Sequence, residues 1–130
     1  MIVVDTKVIA YLWLPGERTA AAERLLKKDA DWNAPLLWRS EFRNVLAGCL
    51  RRGDLALDTA LRIAGEAEVQ MRGREYSVPS AQVLARVAES DCSAYDCEFV
   101  ALAEELGVRL VTSDEKLARA FPRVARRLGE

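Results

Sequence analysis

Histidine is absent from this sequence. That excludes a Ser-His-Asp triad, a Cys-His pair, a two-histidine ribonuclease and any histidine-liganded zinc. Enzymatic chemistry, if present, must fall to carboxylates, hydroxyls, Lys, Arg, Tyr or Cys, and hard oxygen-liganded metals stay open. Cysteine is scarce: Cys49, Cys92 and Cys97 form no CxxC and are odd in number. Neither a disulfide framework nor a zinc knuckle is indicated, and the three read as reduced, small buried residues of a cytosolic protein. Long apolar runs are missing too. Val8 to Leu14 covers about a third of the ~20 residues that span a bilayer. Asp5 and Lys7 interrupt what would otherwise be a signal sequence. The expectation is a cytoplasmic chain with no membrane association. No excess of one charge exists either, since 19 basic residues face 20 acidic ones for a net charge of −1. No overall basic field advertises a nucleic-acid partner. Lys occurs only at 7, 27, 28 and 116, which leaves 15 Arg. Arg suits bidentate phosphate contacts, although codon bias in a GC-rich genome gives the same count.

What is present fits one soluble domain spanning residues 1–130, with 51% hydrophobic and 30% charged residues. No repeat or linker interrupts it. Ile2-Val3-Val4 reads as a buried parallel-type strand. A helix follows to about Leu14 and ends at Pro15-Gly16. Arg18 to Lys28 reads as helix and Asn33 to Leu37 as a second strand. Ser40 is expected to cap a helix running to Arg52, which Gly53 stops. Leu55 to Met71 is amphipathic and helical, Glu75 to Val78 extended, and Ser80 to Glu89 helical. Ser93-Ala-Tyr-Asp96 has capping-box spacing and opens a helix that Gly107 closes. Val108 to Thr112 is a strand, Asp114 to Ala120 a short helix, and Val124 to Leu128 a last short strand. This alternation predicts an α/β fold, a three-layer α/β/α sandwich around a mostly parallel sheet of four to five strands.

Four acids stand out by position. Asp5 directly follows the first strand. Glu41 is expected in the first turn of the helix after the second strand. Asp114 lies just past the strand ending at Thr112, and Asp96 opens the helix that precedes that strand. Each alone is an ordinary helix-terminus acid, satisfying free N–H groups and the helix dipole. Together they converge, because the carboxyl ends of parallel strands share one edge, where ligands bind. Four carboxylates around one crevice repel, so they either hold protons or bind a cation. Without histidine or thiolate, that cation is Mg²⁺ or Mn²⁺. One or two such ions suit phosphate chemistry.

Val3-Val4-Asp5-Thr6, Ser40-Glu41, Ser93-Ala-Tyr-Asp96 running into Phe99 to Gly107, and Leu110-Val-Thr-Ser-Asp114 with Phe121-Pro122 resemble the PIN-domain ribonucleases, in particular the VapC-type toxins of bacterial toxin–antitoxin pairs. The resemblance covers essentially the whole chain. It implies Mg²⁺- or Mn²⁺-dependent cleavage of RNA, a homodimer and a cognate antitoxin that blocks the site. It places Asp5, Glu41, Asp96 and Asp114 as the catalytic, metal-holding quartet, with Thr6 and Thr112 in support. Lys7 departs from the family pattern, which has a small polar residue there. It is either a surface residue or, if it points inward, a phosphate contact or a replacement for a metal-site cation.

Other residues carry weaker expectations. Arg39 and Arg43 flank Glu41 and are candidate RNA-phosphate contacts or a solvated helix face. Asp91 reads as a loop residue and Tyr95 as a packing residue. Trp13, Trp32 and Trp38 read as core or dimer interface. Two other functions stay open. One is a catalytically quiet PIN-fold module that binds RNA or protein, or a housekeeping nuclease without an antitoxin. The other is a phosphotransfer or receiver domain. A phosphatase of that kind wants a second Asp where Lys7 stands, and a receiver wants paired acids at the first strand.

Overall fold

Ile2–Val4 carries three apolar side chains in a row, all buried, and forms β1 at the centre of the sheet. The computed structural model describes all residues, Met1–Glu130. After β1 come α1 (Thr6–Trp13), α2 (Thr19–Lys28), β2 (Trp32–Pro35), α3 (Leu37–Arg52), α4 (Leu57–Met71) and β3 (Glu75–Tyr76). The chain continues through α5 (Ser80–Ala88), α6 (Ala94–Leu106), β4 (Leu110–Thr112), α7 (Glu115–Ala120) and β5 (Ala125–Arg127). All strand pairs are parallel, in the order β3-β2-β1-β4-β5.

This order dictates where the helices lie. From β1 the chain steps outward to β2 and β3, then returns past β1 to β4 and β5. Right-handed crossovers therefore place α1–α4 on one face and α5–α7 on the other. The packing agrees. Helix α6 lies against β1, β2 and β4 with α5 on its back, while α1 packs with α2, α3 and α4. The core is one cluster of 30 buried residues, including Trp32, Trp38, Ile9, Met71 and Leu110. The three-layer α/β/α architecture is the expected one, with five strands.

The order of strand addition reverses at β1, since the chain moves one way to β2 and β3 and the other way to β4 and β5. In an open parallel sheet that switch point leaves a crevice beyond the carboxyl ends of the two strands, because the flanking connections diverge to opposite faces. Asp5 and Asp114 stand at those two ends.

Several boundaries differ from the sequence reading. The second strand ends at Pro35 and α3 begins at Leu37, so Ser40 lies inside the helix and caps nothing. Leu36 already has helical backbone angles, with φ −52 and ψ −26. Its N–H still donates to the Tyr76 carbonyl at 2.9 Å, so the sheet hands the chain to the helix with no intervening turn. Glu41 consequently sits in the second turn of α3. The last crossover strand is shorter than expected, Leu110–Thr112, because Val108 is taken up in closing α6, its N–H donating to the Ala103 carbonyl. At that closure Gly107 adopts the left-handed conformation, φ 68, as a helix-ending glycine does. The cysteines are free and buried. No helix is long and apolar enough to cross a membrane.

Candidate active site

The first acid is fixed by the turn that follows β1. Asp5 caps α1, its Oδ1 accepting from the Val8 N–H at 3.0 Å. Its other oxygen, Oδ2, accepts from the Ser113 N–H at 3.0 Å and from the Thr112 hydroxyl. Asp5 is thus held by α1 on one side and by the end of β4 on the other. Thr112 is fully buried and in turn accepts from the Asp114 N–H at 2.9 Å. Asp114 caps α7, its Oδ1 accepting from the Leu117 N–H at 3.2 Å. A continuous chain of hydrogen bonds therefore runs from Asp114 through Thr112 to Asp5.

Asp96 arrives from the opposite layer. Ser93 caps α6 by accepting from the Asp96 N–H at 3.1 Å. The other half of a capping box is not made, so the Asp96 carboxylate is not turned back onto the Ser93 N–H. Glu41 arrives from α3, and the buried Thr6 hydroxyl donates to its Oε1 at 2.7 Å.

Asp5, Thr6, Lys7, Glu41, Asp96 and Asp114 line one open cavity of about 430 Å³. The N-termini of α1, α6 and α7 all open onto it. Burial pushes the Asp5 carboxyl up, against hydrogen bonds from Thr112, Val8 and Ser113 and the charge of Lys7, which pull it down. Burial likewise raises Glu41, and the charges of Asp96, Asp5 and Glu98 add to it. Asp96 is raised by burial and then by the charge of Asp114. These carboxyls therefore hold protons more readily than free ones, chiefly because burial disfavours their charged form.

That crowding tests the fit of a divalent metal. The donor set suits it in kind, since apart from the Lys7 ammonium the polar lining consists of carboxylates, hydroxyls and an amide and offers no soft ligand. No three His, Cys, Asp or Glu side chains are gathered to grip a single ion. The acids instead face the cavity from four separate elements, a wide acidic pocket rather than a closed coordination shell. Asp5, Asp96, Asp114 and Glu41 are the residues that would hold Mg²⁺ or Mn²⁺.

Sequence reasoning missed part of the lining. Ser40 and Asn44 face the cavity, Asn44 three residues beyond Glu41 on the same helix. That spacing is a legible signal once Glu41 is placed. Ser113, outside the lining, donates its N–H to Asp5, and its own hydroxyl is buried without a partner. Tyr95 is 62% exposed on the cavity rim rather than packed in the core. Its neighbour Asp96 faces inward, and the residue before it on a helix turns elsewhere. Arg39 is not a free phosphate contact. It binds Glu75 through two nitrogens, one at 2.8 Å, and Glu68 at 3.0 Å. Its charge is neutralised where α3 meets β3. Arg43 is exposed and lies outside the cavity lining. Asp91 is an exposed loop residue whose carbonyl accepts from Lys116. Trp32 and Trp38 are core, and Trp13 is partly buried with its N–H on Gln70.

Known proteins are similar to this chain in sequence and in fold. The chain matches the PIN domain over residues 2–124. It is 33% identical over 124 residues to Ribonuclease VapC3 of Pyrobaculum aerophilum, covering 93% of this chain and 95% of that protein. The solved structure of PAE2754 from Pyrobaculum aerophilum superposes with a TM-score of 0.74 at 22% identity, covering 98% of this chain and 90% of that one. VapC20 of Mycobacterium tuberculosis, described as a toxin cleaving the sarcin–ricin loop, gives 0.67 at 19% identity over 92% of this chain and 95% of that one. The family match runs through Asp5, Glu41, Asp96 and Asp114 and through every strand that positions them up to β4, so this chain belongs to the PIN-domain family.

Proposed function

We propose that this chain is a metal-dependent endoribonuclease that cleaves RNA phosphodiester bonds, and the toxin of a type II toxin–antitoxin pair. The observation that carries the reading is the convergence of four carboxylates, from four elements, on one cavity at the switch point of the sheet. The relatedness to a ribonuclease of the VapC group supports the same activity. In this reading residues 1–130 form a single PIN domain acting in the cytoplasm on RNA.

Bound Mg²⁺ or Mn²⁺, one or two ions, would supply neutralisation of the acids and polarisation of the scissile phosphate. The chain's own residues do the rest. Asp5 is oriented by three donors, so its carboxylate cannot rotate away from the cavity. Thr112 fixes the spacing between Asp5 and Asp114 through one hydroxyl. Glu41 accepts from Thr6 on Oε1, which leaves Oε2 to hold a proton or face an ion. The raised carboxyl of Glu41 suits proton transfer near neutrality better than an ordinary glutamate does. Water adds to phosphorus as one ribose–phosphate P–O bond breaks, the water giving up a proton and the departing ribose oxygen taking one; no covalent enzyme intermediate is needed.

A cognate antitoxin and a homodimer belong to the same proposal. A nuclease of this kind harms its own cell unless blocked, and an antitoxin segment bearing a basic side chain would match the acidic cavity. Leu57, Leu61 and Val69 remain exposed on α4, apolar surface that a partner would cover. The direct test is cleavage of total RNA with sequencing of the new ends, comparing wild type and Asp96→Asn with and without Mg²⁺ or Mn²⁺. Discrete metal-dependent ends from wild type alone are expected. Equal ends from both proteins, or none from either, would sink the assignment.

A further inference from the structure

Lys7 occupies an unfavourable place for a cation. It lies in the first turn of α1, where the unpaired N–H groups already carry partial positive charge and an acid is the stabilising choice. It is exposed, and it makes no hydrogen bond or ion pair that would anchor it elsewhere. The other lysine near the site, Lys116, is tethered by its bond to the Asp91 carbonyl at 2.9 Å. Lys7 instead lines the acidic cavity together with Asp5, Asp96 and Asp114. Asp5 and Asp96 come from opposite layers of the sandwich, and Lys7 is the one cationic side chain that lines the cavity with them.

We propose that Lys7 is a tethered cation of this cavity, taking the place of a second divalent ion, so that the chain loads a single Mg²⁺ or Mn²⁺. The inference rests on the metal-nuclease reading and deepens it. With all four acids ionised, the pocket carries four negative charges. One divalent ion together with Lys7 offsets three of them. A second divalent ion would bring more positive than negative charge into the cavity and would share it with the ammonium, where like charges repel in a partly desolvated site. The open lining leaves Lys7 free to swing while remaining covalently present at all metal concentrations. It therefore competes with a free ion at high effective concentration.

The test is metal stoichiometry, which needs no substrate. Mn²⁺ is titrated into the full chain by calorimetry, and the loaded protein is examined by electron paramagnetic resonance for a spin-coupled pair. Wild type and Lys7→Arg should each take up one Mn²⁺ with the spectrum of an isolated ion. Lys7→Ser, which restores a small polar side chain at an exposed helix start, should take up two and show the coupled signal. Two ions bound by wild type, or one ion still bound by a folded Lys7→Ser, would overturn the inference and leave the nuclease reading standing. No Mn²⁺ bound by wild type would overturn both.

Discussion

Thr112 joins two of the four acids through one buried hydroxyl, donating to Asp5 and accepting from the Asp114 N–H. Valine has the same shape and neither capacity. Thr112→Val should therefore leave a buried Asp114 N–H without an acceptor and Asp5 short of a donor, at a cost of about 1–3 kcal/mol in urea unfolding. Thr112→Ser should retain most of that stability and the cleavage activity that Val loses. Asp96 behaves oppositely. Its carboxyl is raised by burial and by Asp114, so the ionised form opposes folding above its folded pKa. That opposition fades as the pH falls and the carboxyl takes its proton. Asp96→Asn should thus raise the metal-free melting temperature at neutral pH, the gain shrinking towards acid. It should also lower kcat/KM roughly a hundredfold or more, ~3 kcal/mol of transition-state stabilisation. A variant that loses activity and gains stability separates a functional acid from a structural one.

Strand β3 has two residues and sits at the edge of the sheet, too short to hold by its ladder alone. Glu75 anchors it to α3, taking the Trp38 indole N–H at 2.8 Å and the Arg39 guanidinium. Arg39 holds the Glu75 carboxyl below the usual range, so its contribution is present above that range and lost as the pH falls through its lowered pKa. Glu75→Ala strands the N–H of a fully buried Trp38 and should cost about 2 kcal/mol at neutral pH, read as a lower urea midpoint. The elements show why some of the fold was legible and some was not. Ile2–Val4, the Ser93 cap and the closing Gly107 are local signals, and the structure places those elements where the spacing put them. The start of α3 was misjudged because Ser40 is an apt cap residue, while the true start is set by Leu36 pairing with Tyr76, forty residues away in sequence. Arg39 was open to misreading for the same reason: its partners Glu68 and Glu75 lie beyond a whole helix. The positions of the acids could be read because each follows a strand or opens a helix near one, and parallel topology carries them to one edge. The tertiary pairing of Thr6 with Glu41 has no local trace.

At the scale of the whole molecule, the sheet order holds negative charge together that would otherwise spread. The strands β1 and β4 are neighbours only because the chain doubles back past β1, and Asp5 and Asp114 meet only because those strands do. Folding therefore does work in burying these acids: the carboxyls of Asp5, Glu41 and Asp96 all shift upward, chiefly because they leave water, with neighbouring acids adding to the shift at Glu41 and Asp96. A divalent cation binds the folded arrangement and finds no equivalent in the unfolded chain, so it must stabilise the fold. At a hundred times its dissociation constant the gain is about 2.7 kcal/mol, which shifts the melting temperature of a domain this size by roughly 10 °C. The same ion competes with protons for the same oxygens, so its effect has a defined pH dependence. Above the raised carboxyl pKa values the acids are ionised, and Mn²⁺ should raise the melting temperature fully. As the pH falls through those values protons displace the ion, and the shift should vanish while the metal-free protein sheds the cost of burying these charges. Thermal unfolding with Mn²⁺ and with a chelator, across neutral to acid pH, measures the difference directly. A shift that stayed constant into the acid range would place the ion on some other part of the molecule and detach the acidic cavity from metal binding.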